Sequence, residues 1–192
     1  MAEAFFQANA WTMDTPKPYG AFHLVLTVLG VSLSIFLARK FSFPERKAGP
    51  DTILFLCGLF LGLTELYKQG FIYYIENGRT YDWWYFPFQL CSVPMYLGLF
   101  IPMVPARIRN VFYLFIQDFG LLGGIMALAE PSGLMHPYWT LTIHGFLWHF
   151  ILIYMGLTCA FYNHSESNNS SSNRNNHPEA ARTYLPVIPL FL

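Results

Sequence analysis

Charge is what this chain lacks most. Only 11% of its residues are charged, against 54% hydrophobic, and the mean hydropathy is +0.35. A soluble domain usually carries about 25% charged residues. The shortfall leaves too little charge to clothe a water-exposed surface, which a lipid-facing surface does not need. Charge of one sign is absent too: 11 basic and 11 acidic residues give a net charge of zero. Neither nucleic acid nor an acidic partner is implied, and membrane lipid is the partner the composition suggests. Cysteine is scarce: Cys57, Cys91 and Cys159 all sit in apolar runs. Their odd number and wide spacing exclude a disulfide framework. No His/Cys set has the spacing of a metal site, and there is no P-loop or Rossmann glycine pattern, so no cofactor is expected. The N-terminal stretch has no basic n-region and carries Pro16 and Pro18, unlike a cleaved signal peptide.

Long apolar runs are what is present. Five have the character of membrane spans: residues 21–38, 52–67, 84–104, 111–129 and 138–161. A bilayer core asks for about 20 apolar residues per helix. Stretches such as 53–63 are apolar on every face, without the alternation of a strand. In lipid each backbone N–H needs a partner, which helices supply within their own segment. The expected fold is therefore all-α: one domain over residues 1–162, a polytopic bundle of about five transmembrane helices. Residues 163–176 are rich in Asn and Ser and read as disordered. Residues 183–192 form a short apolar end with Pro186 and Pro189, too brief to span. Eight basic residues (Arg39, Lys40, Arg46, Lys47, Arg107, Arg109, Arg174, Arg182) fall on one side of the spans. Three (Lys17, Lys68, Arg79) fall on the other. By the positive-inside bias the N-terminus lies outside and the C-terminus in the cytoplasm.

Ionisable groups inside spans are costly and are default site candidates. Glu65, Lys68 and Gln69 share one helical face at the end of the second span. Gln89 and Cys91 lie near the outer start of the third, and His144 near that of the fifth. Glu65, Gln89, Cys91 and His144 thus fall in one layer, while Asp118 and His149 lie closer to the midplane. Plainer readings stand beside this. Glu65 and Lys68 can pair near the surface, and Asp118 can bond Gln117 or hold helices together. A histidine is most often a packed, hydrogen-bonded residue, and Cys91 a small buried hydrophobe. The aromatic residues 81–86 suit an interfacial belt. The pairs Gly58/Gly62 and Gly120/Gly124 suit close helix packing. Pro94 is expected to kink the third span and to free the Leu90 carbonyl beside Cys91.

The run Trp83-Trp84-Tyr85-Phe86-Pro87-Phe88-Gln89-Leu90-Cys91-Ser92-Val93-Pro94 resembles the signature of the YwaF family of bacterial membrane proteins. That family is similar to eukaryotic Transmembrane protein 164. Gly123-Gly124-Ile125-Met126-Ala127, His136-Pro137 and Ile143-His144-Gly145 continue the likeness in the same order, over roughly residues 52–157. The resemblance implies a bacterial plasma-membrane protein. It also implies a lipid acyltransferase, or a thioester-forming hydrolase, with Cys91 as nucleophile and His144 or His149 as base. These histidines are five residues apart, about 140° around a helix, and depth favours His144. Glu65 or Asp118 would orient the base, and Gln89 would donate to an oxyanion. Relatives continue with at least one more span where this chain has its Asn/Ser run. The rival expectation is a non-enzymatic carrier or lipid-binding protein, with Glu65, Gln89, Asp118 and His144 as a polar pocket.

Overall fold

The computed structural model describes residues 1–41 and 50–176, and the regular elements among them are all helical, with no strand. The elements are α1 (Ala2–Ala8), α2 (Ala21–Phe41), α3 (Pro50–Phe71), α4 (Val93–Phe100), α5 (Ala106–Phe115), α6 (Leu121–Ala129) and α7 (Trp139–Asn176). A π turn, Ile72–Glu76, extends α3, and another, Ile116–Gly120, joins α5 to α6. Four helices are long and apolar enough to cross a membrane: Ala21–Phe41, Pro50–Glu76, Ala106–Ala129 and Trp139–Ser165.

The third expected span differs. Its helical part, Leu90–Met103 including the flanking 3₁₀ turns, measures about 21 Å at 1.5 Å per residue. That is short of a hydrocarbon core of about 30 Å. Residues 86–89 are not helical. The reason lies in the prolines. Pro94 occupies the first turn of α4, where no N–H is required. It therefore starts a helix instead of kinking one. The Leu90 carbonyl, expected to be free, accepts the Val93 N–H. Pro87 holds the preceding stretch extended.

Successive crossings alternate in direction. At one end, Tyr19 Oη donates to the Ala129 carbonyl at 2.7 Å, and His23 Nε2 meets the Leu128 carbonyl at 3.1 Å. This ties the start of α2 to the end of α6. At the same end, Met13 N donates to Pro137 O, and Phe71 of α3 meets Tyr138, before α7, edge to face. We call this the α1 face. At the opposite face Asp51 pairs with Arg109 at 2.5 Å and accepts from the Tyr113 hydroxyl. Arg109 Nε donates to Val104 O, which binds α3, the end of α4 and α5 together. Arg46, Lys47 and Arg182 of the charge count lie outside the described residues, as do the apolar residues 183–192.

The surface confirms a bilayer solvent. Val28 and Leu29 of α2 are 64% and 63% exposed, and Leu56, Leu63, Ile125 and Met126 are exposed likewise. Water would disfavour so large an apolar surface. The helix α7 is the central pillar and packs on α2, α3, α5 and α6. Its Leu152 and Met155 sit in a core with Leu54 and Leu61 of α3, Met95 of α4 and Ile116. Small residues set the spacing. A Cβ on Gly98 would lie 2.6 Å from the Leu54 carbonyl, and one on Gly58 2.8 Å from backbone of α4, so these helices touch backbone to backbone. Gly120 and Gly124 bring α6 against Leu152 O and His149 O of α7, whereas Gly62 has room for a Cβ. Beyond the apolar stretch, α7 continues to Asn176 through the Asn/Ser run expected to be disordered. Helix propagation explains this: each residue added to a formed helix gains one backbone bond without a new nucleus.

Candidate functional site

A cavity of about 260 Å³ opens where α4 falls short of the α1 face. Non-helical backbone at membrane depth is tolerated only where protein covers it or where it borders a wet cavity. Residues 84–87 and Gln89 do the latter. They form one wall of it. Glu65 and Lys68 of α3, Cys91 and Ser92 before α4, and His144, Trp148 and His149 of α7 complete the lining.

The α3 groups form a closed set. Glu65 is 4% exposed. Lys68 Nζ lies 2.8 Å from its Oε1, and Gln69 Nε2 donates to the same oxygen at 2.7 Å. Gln69 Nε2 also reaches the Tyr85 carbonyl at 2.5 Å, lashing the 83–85 turn to α3. The carboxylate is thus neutralised inside the bundle. Gln69 stands behind the wall as a strut, absent from the lining itself.

Cys91 lies in the 3₁₀ turn Leu90–Ser92 that leads into α4. Its Sγ is 3.7 Å from Gln89 Oε1, which accepts the thiol hydrogen. Trp148 Nε1 donates to the Cys91 carbonyl at 3.4 Å. On the other side Gly123 of α6 leaves room for the cysteine, since a Cβ there would come 3.7 Å from Cys91 Cβ. The next residue, Gly124, packs on the His149 carbonyl. Both contacts set the Cys91 backbone beside the Trp148–His149 stretch of α7.

The two histidines differ in their bonds. His149 Nδ1 lies 2.7 Å from the Gly145 carbonyl. A carbonyl only accepts, so Nδ1 carries the proton and Nε2 keeps a lone pair. His144 Nε2 is buried without a hydrogen-bond partner, and its ring packs on Trp148. Both residues line the cavity despite their 140° separation on the helix.

Of the residues singled out by sequence, Glu65, Lys68, Gln89, Cys91, His144 and His149 meet in this cavity. Asp118 does not. It lies in the π turn on the exposed side of its helix, with Gln117 Nε2 3.4 Å away. The extra residue of a π turn rotates side chains away from the face a regular helix would present. Sequence reading passed over His136, Ser92 and Trp148. His136 is held by paired bonds with Thr142, its N–H to Oγ1 at 3.0 Å and its O from Oγ1 at 3.1 Å. Its place in a short loop eight residues before His144 was the available signal. Among the described residues no cluster of His, Cys, Asp and Glu could hold a metal ion.

Residues 18–172 match the TMEM164 family. The chain belongs to that family. The match spans the whole cavity and extends on both sides of the 52–157 stretch that carried the resemblance. No curated protein and no solved structure matches the chain. This family member is thus an integral membrane protein with apolar membrane-crossing helices and one buried polar cavity near the α1 face.

Proposed function

We propose that the cavity is an acyl-transfer site, with Cys91 as nucleophile and His149 as its base. One observation carries this reading: a thiol and an imidazole with a free Nε2 lone pair line a single membrane-embedded cavity. Thiolate is the reactive form of cysteine, and apolar burial opposes it, so an unaided Cys91 would be inert. An adjacent base removes that obstacle. In the first half-reaction His149 Nε2 takes the Cys91 proton and the sulfur attacks the carbonyl carbon of a lipid ester. The C–O bond breaks, and the departing alkoxide takes the proton from His149. A thioester on Cys91 remains. In the second half-reaction His149 takes a proton from an acceptor hydroxyl, whose oxygen attacks the thioester. The C–S bond breaks and the proton returns to sulfur. With a lysolipid as acceptor the enzyme is a transferase, and with water a thioester hydrolase. Gln89, whose Oε1 accepts the Cys91 thiol hydrogen at rest, would have to turn its amide N–H toward the oxyanion once that hydrogen has moved to His149. The Gly145 bond fixes the His149 tautomer, the task first assigned to Glu65 or Asp118. His144 also lines the cavity, where its unpartnered Nε2 can donate to a substrate oxygen. The α1 face is the outer one by the charge bias, which sets the site in the outer leaflet.

The test is intact-protein mass spectrometry after incubation in phospholipid vesicles. A hydroxylamine-labile acyl adduct is expected on wild type and His144→Gln, and absent from Cys91→Ser. Equal adducts on wild type and Cys91→Ser would overturn the assignment. Lipid bound tightly with no adduct on any variant would favour the carrier reading, which the neutralised Glu65–Lys68 pair and the enclosed cavity also suit.

A further inference from the structure

A second hollow of about 420 Å³ lies between α3 and α7, on the outside of the polar cavity. Thr64 and Tyr67 of α3, Ile143 and Leu147 of α7, and Trp11 and Trp139 at its upper end line it. Its walls are almost wholly apolar, and Ile143, Leu147 and Trp139 are 42%, 38% and 41% exposed on the bundle's surface. One residue belongs to both hollows: His144, whose buried Nε2 has no partner.

We propose that this groove holds one acyl chain of a membrane lipid and delivers its ester carbonyl past His144 into the polar cavity. Four observations specify the occupant. The groove is open along two membrane-crossing helices, so what reaches it sideways is hydrocarbon. The two tryptophans at its upper end sit where indole rings mark the boundary with headgroups, which orients the chain with its polar end upward. The polar cavity, at about 260 Å³, is below the usual range for a ligand of lipid size. A lipid reacting there has to leave its chain elsewhere. Finally, the unpartnered His144 Nε2 sits at the junction of the two hollows, where an ester oxygen would satisfy it.

This inference rests on the acyl-transfer reading for its direction, but its test does not. The probe is a phosphatidylcholine with a diazirine midway along one acyl chain, reconstituted with the full chain in phosphatidylcholine vesicles and photolysed. Labelled residues are mapped by peptide mass spectrometry. Labelling of Thr64, Ile143 and Leu147 is expected to exceed that of Val28 and Leu29, the open lipid face of α2, by at least about tenfold. It should fall to the α2 level in Leu147→Trp and in Ile143→Trp, either of which fills the groove, and stay unchanged in Val28→Trp. Cys91→Ala should retain the wild-type map. A uniform map, or one that both tryptophan variants leave intact, would overturn the proposal. An acyl-cysteine with a uniform map defeats the groove alone. A localised map without an acyl-cysteine defeats the transfer reading alone.

Discussion

At the scale of single residues the proposed function divides the cavity into groups that would react and groups that hold. Glu65 belongs to the second kind. It carries Lys68 and Gln69 on one oxygen, and through Gln69 fixes the Tyr85 turn. Glu65→Ala would strand the Lys68 ammonium, and a buried donor left without its partner costs about 1–3 kcal/mol. The expected result is a clear fall in the unfolding midpoint in detergent, with Glu65→Gln intermediate because it still accepts from Gln69. An unchanged midpoint would show that the pair contributes nothing. His149→Gln should lower transfer by about 10²–10⁴-fold, the usual worth of a positioned base. The sequence revealed the residue types of this site and their height well, since depth in a span follows directly from residue count. It could not show which side of a helix each residue faces once a π turn or a helix break intervened. That is why Asp118 fell outside the cavity.

At the scale of elements, the apolar runs foretold α2, α3, α5–α6 and α7 because lipid permits little else for such stretches. The third run misled, since Pro87 and Pro94 together fix an extended entry and a helix start, and hydropathy is blind to that distinction. The shortened helix is what makes the cavity possible. Its packing on α3 depends on glycine. Gly98→Ala would place a methyl carbon 2.6 Å from the Leu54 carbonyl, and Gly58→Ala one 2.8 Å from α4 backbone. Overpacking of this kind costs about 1–3 kcal/mol. Gly62→Ala, with its nearest neighbour at 3.7 Å, should be neutral. Thermal unfolding of the three variants in one detergent checks this, and equal midpoints would contradict the backbone contact.

At the scale of the whole molecule, four membrane-crossing helices and the short α4 place α1, the aromatic turn and the polar cavity at one face and the Asp51–Arg109–Tyr113 fastener at the other. The orientation proposed from the charge bias, with the first face outside, has a direct test. In a background lacking the native cysteines, Lys17→Cys should react with an impermeant maleimide in intact cells, and Arg107→Cys only after permeabilisation. The reverse pattern would invert the protein. What this account stands on most is the pairing of Cys91 with His149. It is tested by the rate at which a small membrane-permeant maleimide alkylates each native cysteine, followed by peptide mass spectrometry. Cys91 should react at least about tenfold faster than Cys57 or Cys159, and His149→Gln should remove that advantage. If Cys91 reacts no faster than the other two, or equally fast without the imidazole, the pairing does not exist.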